Sequence, residues 1–334
     1  IQIVAEKSNV SVSTVSRVIN NHPAVLPETR QKVLEVINEL GYRPNQMARS
    51  LPSKGFNAIL LVATKSASQA ANNPYFGNII NAIGSVAEQH GFELILHSGQ
   101  SEGSEIEKTL SMVNSRFIKG VVLLSSRINS VFINEIAKTE IPIVVIGRYD
   151  SGITAKNVIS VDTNNYDDCR KVAHYLCEMG HRDIGCIHAP LSHYVALDRV
   201  NGFKKGLSEC NVEITDPFFV DGGHTVESAY EAALNLLCAR KPTAVFATDD
   251  VKALGIYKAA KALGLKIPQD ISVIGHNDFD FAPLISPPLS TVRVPIYELG
   301  MVSASKLFQM IQNSNEESQL LPTELINRGS VLKI

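Results

Sequence analysis

The sequence lacks any run of eighteen apolar residues, which is about the length that a membrane-spanning helix needs. Its N-terminus lacks the order of basic, apolar and small residues that marks a secretory signal, so we expect an unexported protein that works in the cytoplasm. Disorder is not expected either, because 45% of the 334 residues are hydrophobic. That is enough material for two or three domains.

Catalytic and cofactor-binding motifs are also missing. No GxGxxG opens a helix after a strand, and the sequence contains no GxxxxGK[ST] or HExxH. The five cysteines form no CxxC pair and are odd in number, which favours buried reduced thiols. We therefore expect no enzyme, no cofactor and no metal site.

Charge is distributed unevenly along the chain. Residues 1–54 contain seven Lys or Arg and four Asp or Glu, a net charge of +3, which leaves −5 for the remainder of a chain whose total is −2. An excess of three is modest, and a solvated helical domain carries such an excess by chance. Charge alone gives weak support to a nucleic-acid partner.

The first 41 residues predict three helices separated by turns. Asn9 tolerates the left-handed conformation of a tight turn, and Ser11 can cap a second helix with Val15 and Val18 on its inner side. A third helix begins at Pro27. This spacing is typical of a helix-turn-helix, and an ordinary three-helix part of a larger domain is the alternative. The predicted apolar positions are Ile1, Val4, Ala5, Thr14, Val15, Val18, Val33, Leu34, Ile37 and Leu40.

The polar face of the second helix carries short hydroxyl and amide groups and one guanidinium, which suit phosphates and base edges. The runs V-S-x-x-T-V-S-R-V-I-N, T-R-x-K-V, L-G-Y-x-P-N and A-R-S-L strongly resemble the DNA-binding headpiece of the lactose/galactose repressor family. The resemblance continues to the C-terminus. It implies that Val12, Ser13 and Arg17 read bases in the major groove, with Arg17 as the guanine reader. The backbone contacts that it implies are Ser11, Ser16, Asn20, Thr29 and Tyr42, for which capping or surface hydroxyls are the alternative.

The stretch PNQMARSLP is bounded by prolines and could form only about two helical turns, which is marginal for an isolated helix. In the family that the chain resembles, this segment is a hinge helix that two copies order together in the DNA minor groove. The resemblance assigns Asn45 and Arg49 to DNA and makes Leu51 the wedge that enters a base step. A plain interdomain linker is the alternative.

From Asn57 onward, short apolar runs alternate with amphipathic helical stretches, which predicts a doubly wound α/β architecture. The resemblance implies a two-lobed core of the periplasmic-binding-protein type. The expected domains are a headpiece at 1–43, a hinge and linker at 44–56, and a core at 57–334 with one lobe at about 57–158 and 291–320 and the other at about 159–290 and 321–334. The predicted strands are Ala58–Ala63, Glu93–His97, Gly120–Ser125, Ile141–Ile146, Ile184–His188, Ala244–Ala247 and Ile271–Ile274.

Polar and aromatic residues at predicted strand ends suit a polar, uncharged ligand such as a sugar. Arg199, Asp249 and Asn277 match polar effector contacts of the family. His224 stands where relatives often place an aromatic side chain, and the position of Asn277 is often Asp. Asp249 as a helix cap is the alternative. The complete set expected at the effector site is Tyr75, Phe76, Arg148, Asp162, Arg199, His224, Asp249 and Asn277.

The resemblance implies a homodimeric transcription regulator, most often a repressor, that binds a pseudopalindromic operator and responds to a small effector between the core lobes. A mono- or disaccharide of the maltose type is the expected effector, with a purine or a protein corepressor as alternatives. A sugar-binding protein of a transport system is the alternative function. Residues 1–55 argue against it, because such a protein needs no basic three-helix front end.

Overall fold

The computed structural model describes residues 1–19, 22–42, 57–63, 73–98, 101–124, 126–213 and 218–334. The chain divides into two compact units, Ile1–Phe56 and Asn57–Ile334. The hinge expected at 44–56 lies outside the described residues, as do Asn20, Asn45, Arg49 and Leu51.

The first unit contains three described helices: α1 (Gln2–Ser8), α2 (Val12–Ile19) and α3 (Pro27–Glu39). Asn9 follows α1 in the left-handed conformation, with φ 53° and ψ 47°, and Ser11 Oγ accepts the Thr14 backbone N–H at 3.1 Å. Both features confirm the predicted turn and cap. Pro27 occupies the first turn of α3, where its missing N–H costs nothing.

Five small apolar side chains form the centre of the first unit: Val4, Ala5, Val15, Val18 and Val33. Two predicted apolar positions lie at the surface instead, because Ile1 is 39% exposed and Leu34 is 45% exposed. The buried core of the three helices therefore contains fewer residues than the apolar spacing predicts.

The described residues of the second unit form two six-stranded sheets, each flanked by helices. The first sheet is wholly parallel, and the second has one antiparallel pair at its edge. The first sheet runs in the order β11 (Gln319–Leu321), β5 (Val158–Thr163), β4 (Ile143–Ile146), β3 (Ile118–Leu124), β1 (Ala58–Ala63) and β2 (Glu93–Ser98). The second runs in the order β12 (Glu324–Ile326), β10 (Ser290–Arg293), β9 (Ser272–Asn277), β8 (Ala244–Ala247), β6 (Ile184–His188) and β7 (Phe219–Asp221).

Each sheet with its helices forms one lobe. The helices of the first lobe are α4 (Pro74–Gln89), α5 (Glu102–Asn114), α6 (Phe132–Ala137) and α11 (Ile296–Ile311). Those of the second lobe are α7 (Asn165–Glu178), α8 (Tyr194–Glu209), α9 (Val226–Arg240) and α10 (Asp250–Ala262). The central strands β1, β4 and β8 are buried along their whole length, as expected for parallel strands covered on both faces. No helix in the described ranges is long and apolar enough to cross a membrane.

The chain passes between the lobes three times, and the passages differ from the expected boundaries. Strand β5 pairs with β4 from Val158 onward, so the first lobe extends to Thr163 rather than to 158. Strand β10 pairs with β9 from Ser290 to Arg293, so the second lobe extends past 290. The third passage lies between β11, which ends at Leu321, and β12, which begins at Glu324. Backbone pairing fixes these boundaries, whereas the apolar pattern of the sequence is continuous across them.

Helices α7 and α8 lie unusually close together, and Gly202 allows it. A Cβ at Gly202 would lie 1.9 Å from the Tyr166 carbonyl oxygen, so no side chain fits there without moving a helix. This approach brings Asn165, at the start of α7, against Arg199, on α8.

Candidate functional site

A cavity lies between the two lobes, at the carboxyl ends of several parallel strands, and encloses about 910 Å³ of empty space including its opening to solvent. Open α/β sheets place ligands at this edge. Seven of the eight residues expected at the effector site line it: Tyr75, Phe76, Asp162, Arg199, His224, Asp249 and Asn277.

Arg199 lies at the centre of the polar wall and is only 8% exposed. Its Nε donates to Asn165 Oδ1 at 2.8 Å, its Nη1 to the Thr248 carbonyl oxygen at 2.5 Å, and its Nη2 to Asn277 Oδ1 at 3.3 Å. These acceptors belong to three separate segments of the second lobe. A guanidinium held at three nitrogens has a fixed direction, which a binding site needs.

Asp162 ends β5 and is buried beside this network. Its Oδ1 accepts the Thr163 backbone N–H at 2.8 Å and Asn165 Nδ2 at 3.0 Å, so the Asn165 amide links Asp162 to Arg199. Burial raises the pKa of Asp162 to about 7, although the Thr163 N–H and the Arg199 charge oppose the rise. The carboxyl can therefore accept or donate a hydrogen bond near neutral pH.

Asp249 is both a helix cap and a cavity residue. Its Oδ1 accepts the Lys252 backbone N–H at 3.0 Å, which confirms the capping alternative, and its Oδ2 accepts Lys252 Nζ at 2.7 Å. Burial raises the pKa of Asp249, but the Lys252 charge and hydrogen bonds more than offset this, and the net pKa is lowered. Burial and the Lys252 charge lower the pKa of His224, which favours its neutral form.

Asn277 is the last residue of β9 and has φ 116°, a backbone conformation that residues with a side chain rarely adopt. Next to it, Phe279 N donates to Asp250 Oδ2 at 2.9 Å, and the Phe279 ring enters the apolar core of the first lobe. The loop is thus held on both sides of Asn277. Strain of this kind persists where the surroundings fix it, often at functional sites.

Aromatic rings form the side of the cavity that belongs to the first lobe. Tyr75 and Phe76 meet edge to face with their ring centroids 5.5 Å apart, at the start of α4, where Asn73 Oδ1 accepts the Tyr75 backbone N–H at 3.0 Å. Burial raises the pKa of the Tyr75 hydroxyl, which stays protonated and can donate a hydrogen bond. The flat faces of such rings suit the apolar side of a sugar.

Arg148 differs from the expectation, because it does not line the cavity. Its Nε and Nη2 donate to Asp198 at 2.6 and 2.7 Å, and its guanidinium lies 4.1 Å from the centroid of the Tyr194 ring. Arg148 follows β4 in the first lobe, and Asp198 lies on α8 of the second. The carboxylate of Asp198 holds this side chain between the lobes.

Four polar residues of the site were not expected. Asn73, His193 and Thr248 line the cavity, and the Lys252 ammonium pairs with the Asp249 carboxylate. Burial lowers the pKa of His193 to about 4, with the Arg127 charge as the next cause. Thr248 directly precedes Asp249 at the end of a predicted strand, and this position could have indicated that Thr248 belongs to the site. Lys252 carries no such signal, because a lysine in a helical pattern normally indicates a solvated face.

The described residues expected to contact DNA lie just before α2 and along it, in the first turn of α3, and after α3. Ser11, Val12, Ser13 and Arg17 are exposed, and Val12 is 44% exposed although it is apolar. Ser16, Thr29 and Tyr42 are half-buried. Thr29 lies in the first turn of α3, where backbone N–H groups favour an anion such as phosphate.

Family models of known proteins match residues in each of the two units. Residues 1–45 match the family model "Bacterial regulatory proteins, lacI family", and residues 173–331 match "Periplasmic binding protein-like domain". The HTH-type transcriptional regulator DegA of Bacillus subtilis is 32% identical over 98% of this chain and 96% of its own length.

Two solved structures resemble the whole chain. A lac repressor dimer bound to operator and the anti-inducer ONPF is 27% identical, with a TM-score of 0.80 over 98% of each chain. A complex of the transcriptional regulator CelR with cellobiose is 28% identical, with a TM-score of 0.73 over 98% of each chain. These relatives are regulators rather than enzymes. The chain belongs to the lacI family of bacterial regulatory proteins and is a DNA-binding transcriptional regulator.

Proposed function

We propose that this regulator is a repressor, that it binds a pseudopalindromic operator as a homodimer, and that a sugar in the interlobe cavity sets its operator affinity. The observation that carries the proposal is the Arg199 network, which joins Asp162, Asn165 and Asn277 at the cavity wall. A regulator of this kind acts on the chromosome, so we place its work in the cytoplasm.

The chemistry of the cavity supports a sugar as the ligand class. Asp162, Asp249 and Asn277 offer carboxylate and amide groups that bond hydroxyl groups, and Arg199 offers fixed donors. Tyr75 and Phe76 offer ring faces opposite them. The cellobiose complex of the structural relative CelR supports the same class. A maltose-type sugar is our first candidate.

On the DNA side, we assign base reading to Val12, Ser13 and Arg17. Arg17 can bond guanine O6 and N7 together, whereas Val12 contacts a thymine methyl group or excludes water. We assign phosphate and sugar contacts to Ser11, Ser16, Asn20, Thr29 and Tyr42, and minor-groove contacts to Asn45, Arg49 and Leu51. The relative that binds operator as a dimer supports a two-fold arrangement of these residues.

The coupling between ligand and DNA would act through the lobes. Backbone hydrogen bonds join them beside the cavity: Ile128 N donates to the Ser192 carbonyl oxygen at 3.0 Å, and Tyr194 N donates to the Ser126 carbonyl oxygen at 3.2 Å. His193, between these two bonds, lines the cavity. A ligand that changes the contacts of His193 changes the closure of the lobes, and an effector coupling of about 1–3 kcal/mol is expected.

Two measurements on the full chain test the proposal. A selection from random palindromic duplexes followed by a salt titration should yield one preferred operator whose affinity falls as salt rises. A thermal-shift panel with maltose, cellobiose and ribose should show stabilisation by at least one sugar, and that sugar should change operator affinity. A transport protein would bind the sugar and ignore every duplex, which would contradict the proposal.

A further inference from the structure

Lys252 is a buried lysine next to the cavity, with a side chain that is 1% exposed. It lies in the first turn of α10, and its Nζ reaches Asp249 Oδ2 at 2.7 Å. Its own backbone N–H bonds the other oxygen, Oδ1, at 3.0 Å. One residue therefore holds both oxygens of Asp249, a carboxylate that lines the cavity, while Lys252 itself does not line it.

A capping role for Asp249 does not explain the ammonium group. Backbone N–H groups at a helix N-terminus already stabilise a capping carboxylate. Burying an ammonium is costly, and an apolar side chain of similar volume, such as methionine, would fill the same space without that cost. The ammonium therefore has a consequence beyond packing, and the group that it contacts is Asp249.

The charged groups around Asp249 show what that consequence is. Arg199 faces it from α8, His224 from the segment before α9, and Asp250 follows it on α10. Cys186 of β6 faces Lys252. Burial favours the protonated form of Asp249, and the charge and hydrogen bonds of Lys252 are the largest opposing influence. The backbone N–H of residue 252 remains in any variant, but loss of the ammonium removes the largest opposing influence and so favours the protonated carboxyl, which has a different hydrogen-bonding pattern.

We propose that Lys252 is a positioning residue of the cavity: its buried ammonium keeps the Asp249 carboxylate ionised and aimed, so that Asp249 only accepts hydrogen bonds from ligand hydroxyls. The proposal rests on the proposed function, because it takes a sugar as the ligand. Lys252 also neutralises the Asp249 charge from outside the cavity, so a cationic ligand group gains less from pairing with Asp249. The site thereby selects a hydroxyl at this position over an ammonium group.

The first test needs no ligand. Unfolding free energies of the wild type, Lys252→Met and Lys252→Met/Asp249→Asn are measured from pH 5.5 to 8, with Lys261→Met as the control, since Lys261 is exposed on the same helix. In Lys252→Met, Asp249 keeps its proton in the folded chain and loses it in the unfolded one. Stability relative to wild type should then fall as pH rises, about tenfold in the folding constant for each pH unit from 5.5 up to the raised pKa. The Lys252 charge also lowers the pKa of His224, and both variants lack that charge, so the contribution of Asp249 is read from the difference between the single and the double variant.

The double variant and the control decide the outcome. The double variant should lose the pH dependence that Asp249 causes, because asparagine does not titrate, and Lys261→Met should follow the wild type. A single variant that folds at neither pH while the double variant folds also supports the proposal, since the two differ only in the Asp249 carboxyl. A single variant that parallels wild type at every pH, or a double variant with the same pH dependence as the single one, would overturn it.

The second test uses the ligand class. Glucose and glucosamine are compared as probes, together with maltose and cellobiose, by thermal shift at pH 6 and 7, where the amino group of glucosamine is mostly protonated. In Lys252→Met the shift produced by neutral sugars should weaken at pH 6, and binding of glucosamine should gain at least about tenfold relative to glucose at pH 7. An unchanged preference in the variant would overturn the selective role of Lys252. If no sugar stabilises the wild type while the ligand-free test succeeds, the proposed function fails and the effect of Lys252 on Asp249 stands.

Discussion

Arg148 and Asp198 join the two lobes through a two-point ion pair, with Nε–Oδ2 and Nη2–Oδ1 distances of 2.6 and 2.7 Å. The Tyr194 ring lies under the guanidinium, and Tyr194 and Asp198 belong to the same helix that carries Arg199. Helix α8 therefore contacts the ligand space with Val195, Ala196 and Arg199 and the opposite lobe with Tyr194 and Asp198. A shift of α8 on ligand binding must act on the ion pair, and the reverse holds as well.

We expect Arg148→Met to weaken effector binding without abolishing it. The Arg148 side chain is 45% exposed, so solvent screens the pair, and its loss should cost about 1 kcal/mol, or roughly fivefold in affinity. Calorimetry with the sugar found by the panel measures this, and small-angle scattering of the ligand-free chain should show more open lobes.

The exposed Arg240, in the last turn of α9, is the matched control for that change, since Arg240→Met removes the same charge far from Asp198. Asp198→Asn should reproduce the effect of Arg148→Met, and the two changes together should cost no more than either alone. Fully additive costs would show that the two residues act independently.

The sequence predicted elements whose signals are local. The Asn9 turn, the Ser11 cap and the Pro27 start of α3 each depend on one residue and its neighbours, and the structure confirms all three. The seven predicted strands are also present, three with the predicted ends and four with ends shifted by one to three residues, because buried parallel strands are continuous apolar runs. Strands such as β7 and β12 were missed, since each has three residues and owes its conformation to a neighbouring strand.

The candidate site was predictable where the resemblance supplied residues and unpredictable where long-range packing decided. Arg199, Asp249 and Asn277 were named from motifs and meet at one cavity. Arg148 was misplaced, because nothing in the sequence indicates that Asp198, fifty positions away, lies within hydrogen-bond distance. Lys252 was missed for the same reason. A charged residue in a helical pattern gives no sign of the carboxylate that allows its burial.

Arg17→Ala should weaken operator binding by about 1–3 kcal/mol and relax preference at a single base position, because bidentate contact with guanine is lost. Binding-site selection with the variant measures both effects. Lys32→Ala is the control, since Lys32 is exposed on α3 and its loss should weaken binding to all sequences alike or leave it unchanged. A base preference identical to that of the wild type would contradict the assignment of Arg17.

Asp162 should make folding stability depend on pH. Its pKa is about 7 in the folded chain and about 4 in the unfolded one, so the folded chain retains a proton that the unfolded chain loses between these values. Stability should therefore fall as pH rises from about 4 to 7 and level off above that range. Asp250, whose pKa burial also raises to about 7, contributes with the same sign.

Replacing Asp162 with Asn separates the two contributions, because the amide does not titrate. The decline in unfolding free energy between pH 4.5 and 7.5, measured by denaturant titration, should be smaller in Asp162→Asn than in wild type by roughly 1–3 kcal/mol. Asp150 is exposed, so Asp150→Asn is the matched control, and this variant should keep the full decline in unfolding free energy. An equal decline in all three proteins would show that Asp162 ionises normally in the folded chain.

Arg199→Ala should abolish the effector response and leave operator binding intact. The change removes three hydrogen bonds, to Asn165, Thr248 and Asn277, and takes a fixed donor out of the cavity. The loss falls within the core unit, whereas the three described helices of the headpiece have an apolar core of their own, so specific DNA binding should persist. A gel-shift titration with and without sugar measures both properties on one sample.

Arg199→Lys keeps the charge but not the three-way contact, and it should behave like Arg199→Ala, since one ammonium does not match the fixed directions of a guanidinium. A normal sugar response in either variant would remove Arg199 from the site, and loss of DNA binding would mean that Arg199 holds the active conformation of the core rather than the ligand.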